Sequence, residues 1–210
     1  MKKTMAVIQI GKRQRMTRSE RELQLLEVAT GIFVGKGYQG ATMEDISLAA
    51  KVSRPVVYSH FPTKDDAYLA CLRKARRLLD KTTLGQIDPK VSPELQMRQG
   101  LNGYFDFVEN YPSDWRLLYE SGTAVAGVAA EEAKMLRQQT VAQLALLYRF
   151  AAPNASDLSI QVAANSFSGA AEQVAKWWLK NLSVSREDVV NSLLTIGWQG
   201  IQTLMKDTSE

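Results

Sequence analysis

At 210 residues, 45% hydrophobic and 23% charged, the chain has room for one large domain or for a small and a medium one, with an ordinary globular balance. Its single cysteine, Cys71, excludes a disulfide framework within the chain and fits a reducing compartment, and no apolar run reaches the length of a membrane span. The start, MKKTMAVIQIGKRQR, lacks the apolar core and small-residue cleavage site of a secretory leader, so a cytoplasmic location is expected. The net charge of +4 is unevenly spread: residues 1–80 carry 15 Lys and Arg against 8 Asp and Glu, the remainder 11 against 14. A basic first third on an acidic remainder suggests that this third meets a polyanion, unless the asymmetry is accidental.

Helical patterning runs through almost the whole chain, with no alternating strand, internal repeat or low-complexity tract. Residues 1–18, with Lys2, Lys3, Lys12, Arg13, Arg15 and Arg18, read as a flexible basic arm. It is either a plain disordered terminus or a minor-groove contact. A first helix is expected over about 19–36, where Leu25, Val28, Ala29, Ile32 and Phe33 form one apolar stripe, with Ser19 as N-cap and Gly37 ending it. Thr42 caps a second helix with Asp45 three residues on, and Ile46 and Ala49 are expected to point inward. Ser53 caps a third, with Pro55 tolerated in its first turn, and Thr63 with Asp66 opens a fourth that runs to about Lys81. A Gly- and Pro-containing loop at about 83–93 precedes helices expected near 94–110, 113–121, 128–151, 157–181 and 185–206. Pro112, Gly122 with Gly127, Pro153 and Asn181 act as breakers between them. In the long helix, Leu136, Thr140, Leu144 and Leu147 form a stripe. The last two helices are rich in small and aromatic residues, among them Gly169, Ala170, Trp177, Trp178, Gly197, Trp198 and Gly200.

Few residues suit catalysis. The string Gly35-Lys36-Gly37-Tyr38-Gln39-Gly40 matches GxGxxG, but it closes a helix and has no preceding strand, so a dinucleotide site is rejected. One histidine and one cysteine exclude a His-based cluster and a CxxC pair, and no metal or cofactor is expected. The acidic pairs Asp65-Asp66 and Glu131-Glu132 are sequence neighbours that point apart on a helix. Cys71, among Tyr68, Leu69 and Leu72, reads as a buried structural thiol.

The chemistry-bearing stretch is 42–64, TMEDISLAAKVSRPVVYSHFPTK: two short helices around the tight turn Ala50-Lys51-Val52. This is the build of a helix-turn-helix, whose second helix enters the major groove. Thr42 and Ser53 open helix N-termini that attract phosphate. Arg54 lies in the first turn of the recognition helix, where arginine holds guanine by two bonds. Tyr58 and His60 lie about one turn further along, within reach of phosphate oxygens (simple exposure is the alternative for His60). Lys64 approaches the backbone from the side. The competing reading is a three-helix core module with no nucleic-acid role.

Phe33, Gly37, Tyr38, Thr42, Ile46, Ala49, Val52-Ser53-Arg54, Tyr58 and His60-Phe61-Pro62-Thr63-Lys64 together resemble the TetR family of bacterial transcriptional regulators. The resemblance covers about residues 20–70. It implies an all-α dimer, usually a repressor. A basic arm (1–18) would lead into a DNA-binding domain of three helices with a connecting fourth (19–82). A larger helical domain (83–210) would follow, for effector binding and dimerisation. It also implies that Thr42, Tyr58, His60 and Lys64 contact phosphates, that Arg54, Pro55, Val56 and Ser59 face bases, and that Ser53 caps. Lys51 departs from the pattern, because the family places glycine there. Either the turn is altered or Lys51 adds a charge beside the DNA backbone.

The run 104–109 with 115–119 is similar to actinobacterial members, some of which answer acyl-type ligands. Phe105, Trp115, Tyr119, Leu144 and Tyr148 are candidate ligand contacts, or simply core. Gly169, Ala170, Trp178, Trp198 and Ile201 are candidate dimer contacts in a four-helix bundle. The expected protein binds a near-palindromic double-stranded operator as a homodimer, without a membrane. It leaves the operator when a small apolar effector sets a subunit spacing that mismatches successive major grooves. A DNA-binding regulator without an effector, and an enzyme with an apolar pocket, are the rival readings.

Overall fold

In the computed structural model, residues 16–120 and 128–206 are described, and no strand occurs among them. The basic arm up to Arg15 and the breakers Gly122 and Gly127 therefore lie outside the described residues.

Helix α1, Arg18–Gly40, begins two residues earlier than a Ser19 cap would place it: Thr17 is the N-cap. Thr17 and Ser19 each have a glutamate three residues on, Glu20 and Glu22, and it is the first pair that forms the cap. The Glu20 carboxylate accepts from the Thr17 backbone N–H at 2.7 Å, closing a reciprocal box. The stripe buries Leu25, Ala29 and Phe33 completely. Near its end Gly37 takes φ 70°, ψ 167°, a backbone state that only glycine enters readily. The bend lets Tyr38 fold back so that its ring meets Phe33 and, edge-on at 5.1 Å, Tyr68.

Helices α2, Met43–Ala49, and α3, Arg54–His60, are joined by a turn with two defining bonds. The Val52 N–H donates to the Ser47 carbonyl at 3.0 Å and the Lys51 N–H to that of Leu48 at 3.1 Å. This is the Schellman pattern, which needs a left-handed residue at its penultimate position, and Lys51 supplies it with φ 55°. The turn is thus unaltered by the missing glycine. Ile46 is buried as expected, but Ala49 is exposed and Ala50 is inside, because the buried face runs through Met43, Ile46, Ser47 and Ala50 and Ala49 lies beyond its edge. Val57 and Phe61 fix α3 to the same core.

Helix α4, Lys64–Thr82, has the expected Thr63–Asp66 capping box and is the hub of the molecule. It packs against α1, against α5 (Pro93–Asn110) and α6 (Pro112–Tyr119), and against α7 (Val128–Ala151). A short 3-10 turn, Leu84–Gln86, links α4 to the 87–92 loop. Gly103 marks the crossing of α5 over the end of α4: a Cβ there would lie 1.9 Å from the Thr82 carbonyl oxygen. Helices α8, Asp157–Trp178, and α9, Arg186–Lys206, close the bundle against α7 and α5. Helix α8 ends three residues before the expected Asn181. One continuous apolar core extends from Leu25 on α1 to Leu194 on α9, so the two expected domains share it.

Candidate nucleic-acid interface and ligand cavity

Anchored by Val57 and Phe61, α3 turns Arg54, Pro55, Tyr58 and Ser59 to solvent, with Val56 half-buried beside them. Lys51 and Thr42 are also exposed on this side of the molecule. Ser53 occupies the N-cap position but makes no side-chain capping bond, so the cap expected from its hydroxyl is not formed. The Ser59 hydroxyl donates to the Val56 carbonyl at 2.7 Å, and the Thr42 hydroxyl to Asp45 at 2.9 Å. Both oxygens keep acceptor capacity.

Arg54 forms an ion pair with Glu44 of α2, a residue the sequence reading passed over. The hydrogen bond and the charge of Glu44 hold the Arg54 guanidinium above its ordinary pKa, and Arg54 in turn holds the Glu44 carboxyl below its own. Both side chains are more than half exposed, so the pair is weak and the guanidinium is available to an exchange of partners.

Two expected phosphate contacts have structural work of their own. Lys64 Nζ donates to the carbonyls of Tyr38 at 3.0 Å and Ala41 at 3.2 Å and lies 4.4 Å from the centre of the Tyr38 ring. The Tyr38 hydroxyl is bonded to Asp65, and burial first, then that bond, pushes its pKa up to about 12. Lys64 and Tyr38 thus pin the end of α1 to the start of α4. The His60 ring is only 7% exposed, with Nδ1 3.9 Å from Glu22 of α1, so simple exposure is ruled out and little surface is left for a phosphate.

The second site is a cavity of about 120 Å³ lined by α4, α5, α6, α7, α8, α9 and the 83–92 connection. Of the expected ligand contacts, Tyr119, Leu144 and Tyr148 line it. Phe105 and Trp115 do not. Phe105 packs edge-on against Trp178 at 5.5 Å, and Trp115 donates from Nε1 to the Tyr104 hydroxyl at 2.9 Å, both wholly buried in the core. The stripe on α7 supplies Thr140, Leu144 and Leu147 to the wall.

A polar cluster closes one end. Arg76 of α4, itself buried, bonds Asp80 through Nε at 3.1 Å and Thr140 Oγ1 of α7 at 2.7 Å, and also bonds Gln143. Gln143 donates to Asp80 at 3.0 Å, and the Tyr119 hydroxyl lies 3.1 Å from Thr140 Oγ1. Burial acts to raise the Asp80 carboxyl, but the bonds from Arg76 and Gln143 outweigh it and hold the pKa below its ordinary value. In sequence Arg76 and Asp80 look like a solvated i, i+4 pair; nothing local reveals that α7 covers them.

A shallow apolar groove of about 560 Å³ runs between α8 and α9 on the outer face. Leu158 and Ile196 beside it are 74% and 72% exposed, and Val162 and Trp177 are exposed as well. Gly169 and Ala170 lie on this exposed side of α8. Trp178 does not: its Nε1 donates to the Val184 carbonyl at 2.9 Å and its ring is in the core, so it is unavailable as a dimer anchor. Ile201 is buried between the cavity and the groove and lines both, while Trp198 is half-buried and lines the inner cavity.

Among the described residues no group of His, Cys, Asp and Glu is arranged to hold a metal, and no helix is long and apolar enough to cross a membrane.

The family model described as "Bacterial regulatory proteins, tetR family" matches residues 25–71, and the "Tetracyclin repressor-like, C-terminal domain" model matches residues 93–200. The chain is 28% identical to the HTH-type transcriptional activator FasR of Mycolicibacterium smegmatis over 192 residues, covering 89% of this chain and 85% of that protein. Its fold is similar to that of a TetR-like transcriptional regulator from Rhodococcus (TM-score 0.75, 24% identity, 90% of this chain and 99% of the other). It is also similar to the fold of AibR, solved in complex with isovaleryl coenzyme A and operator DNA (TM-score 0.71, 20% identity, 84% and 97%). With one matched model on the α2–α3 surface and the other on the helices that build the cavity, the chain belongs to the TetR family of DNA-binding transcriptional regulators.

Proposed function

We propose that the protein is a ligand-responsive repressor that binds a near-palindromic operator as a homodimer and releases it when a small, largely apolar effector enters the cavity. The observation that carries the DNA half is the outward face of α3. Its exposed Arg54, Pro55, Tyr58 and Ser59 project from a helix locked by buried Val57 and Phe61, which is the presentation a major-groove reader needs. Arg54 exchanges Glu44 for a guanine edge, while Thr42, Lys51, Ser53, Tyr58 and Lys64 serve the phosphates, Pro55, Val56 and Ser59 the bases, and the buried His60 ring steadies the module beside Glu22 of α1.

The exposed apolar groove at α8 and α9 supports dimerisation, because a surface of that kind is stable in water chiefly when covered. Leu158, Val162 and Ile196 are its anchors, with Gly169 and Ala170 allowing close approach. Two-fold symmetry in the protein then requires near-palindromy in the DNA. For the effector, the support is the apolar cavity and the isovaleryl coenzyme A bound in the AibR complex.

The route between the sites is α4. Arg76 on α4 is held by Thr140 and Gln143 of α7, while Lys64 at the other end of α4 holds α1 beside the helix-turn-helix. An effector that moves α7 therefore shifts α4 and the spacing of the two recognition helices.

A second reading, activation, is favoured by one observation: the FasR relative is named an activator. Gel-shift titration with DNA flanking the protein's own gene, with and without isovaleryl coenzyme A and longer acyl coenzyme A, tests the proposal. Release on addition of one of these supports a repressor. Tighter binding supports the second reading, and no response to any of them contradicts an acyl-type effector.

A further inference from the structure

Several hydrogen-bonding side chains line the cavity. Thr83, Gln96 and Tyr104 bond the Leu79 carbonyl, the Val91 carbonyl and Trp115, and, Tyr148 aside, Ser168 and Trp198 complete the set outside the polar end. At the polar end, Arg76, Thr140, Gln143 and Tyr119 bond one another and Asp80. Tyr148 is different. It is 5% exposed, it stands in the wall between the cavity and the outer groove and lines both, and its hydroxyl has no hydrogen-bond partner among the described residues. The neighbouring wall is apolar: Leu144, Leu147, Phe167, Ala171 and Ile201. A buried hydroxyl without a partner carries its full desolvation cost, so such groups call for an explanation, and in a cavity wall a ligand atom is the natural one.

The same wall constrains the charge of that ligand. Arg76 is the only Lys, Arg or His that lines the cavity among the described residues, and Asp80 already matches its charge. A free carboxylate entering there would be a second anion beside Asp80, and one seated at Tyr148 would lose its water to a single phenol among hydrocarbon. Burial pushes the Tyr148 pKa well up, so the phenol stays protonated and donates.

Resting on the reading of this cavity as the effector site, we propose that the Tyr148 hydroxyl donates a hydrogen bond to an uncharged carbonyl oxygen, as in an ester, thioester or amide, on an apolar effector. The cavity on this account rejects the corresponding free carboxylate.

Binding of methyl hexanoate, hexanoate and hexane to the full chain at pH 8, followed by tryptophan fluorescence (Trp198 lines the cavity), tests this. The ester is expected to bind roughly three- to tenfold more tightly than hexane, the worth of one net hydrogen bond, and about tenfold or more tightly than hexanoate, given the cost of a buried unpaired charge. In Tyr148→Phe the ester loses its advantage while hexane binds as before, and the unliganded variant melts no lower than the parent, since only an unbonded hydroxyl is removed. Equal binding of ester and hexane to the parent overturns this inference alone, as does hexanoate binding as tightly as the ester or Tyr148→Phe keeping the ester preference. Binding of none of the three compounds overturns the effector reading with it.

Discussion

Lys51 shows how one residue can break a sequence rule without breaking the structure. Its φ of 55° is the state the turn demands, and a lysine there costs on the order of 1 kcal/mol relative to glycine. Lys51→Gly is therefore expected to raise stability by about 0.5–1 kcal/mol in denaturant unfolding, the glycine's extra freedom in the unfolded chain limiting the gain. If the exposed lysine also meets a phosphate, the salt dependence of DNA binding flattens by about one unit of slope. Cys71 gives a pH test. Burial pushes its thiol up to about 12, so the folded chain keeps the proton that the unfolded chain loses near pH 8.5. Its contribution to stability is whole below that value and declines above it by up to ~1.4 kcal/mol per pH unit. Between pH 8.5 and 9.5, below the midpoint of tyrosine titration, Cys71→Ala should flatten the decline in urea midpoints; an unchanged slope would show the thiol is not its source.

At the scale of elements, what could be read in advance is what is decided locally. The capping boxes at Thr42 and Thr63, the apolar stripe on α1 and the breaker at Pro112 act within a few residues, and the helices follow them closely. What escaped is set by packing between distant segments. Trp178 and Phe105 have the composition of an interface and a pocket, yet each fills the core because the other stands opposite. Arg76 looks solvated until α7 covers it, and the Glu44–Arg54 pair depends on how α2 sits against α3. Gly103 carries no signal in a single sequence, although α5 can cross α4 only there. Gly103→Ala would drive a methyl into the Thr82 carbonyl, with an expected loss of about 3 kcal/mol, the upper end for overpacking, because backbone cannot swing aside as a side chain does. A thermal melt within 2 °C of the parent would mean the helices separate without penalty.

In the whole molecule the α3 face and one wall of the inner cavity rest on the main apolar core, while the groove at α8 and α9 lies over a second cluster that includes Tyr148 and Ile201 and forms the cavity's other wall. The groove makes the dimer testable away from the core, since Ile196 is 72% exposed and its replacement disturbs no internal packing. Ile196→Glu is expected to convert a sedimenting dimer to monomer without lowering helical content, and to weaken operator binding because two half-sites are no longer held together. A variant that still sediments as the parent dimer would move the interface elsewhere. The most direct test of the central claim is a footprint on the DNA flanking the protein's own gene, comparing the parent with Arg54→Ala across single-base operator variants. A protected near-palindrome is expected, with Arg54→Ala binding more weakly by roughly 1–3 kcal/mol and losing its preference at one base pair in each half-site. An Arg54→Ala protein that protects the same sequence with undiminished preference would contradict that claim.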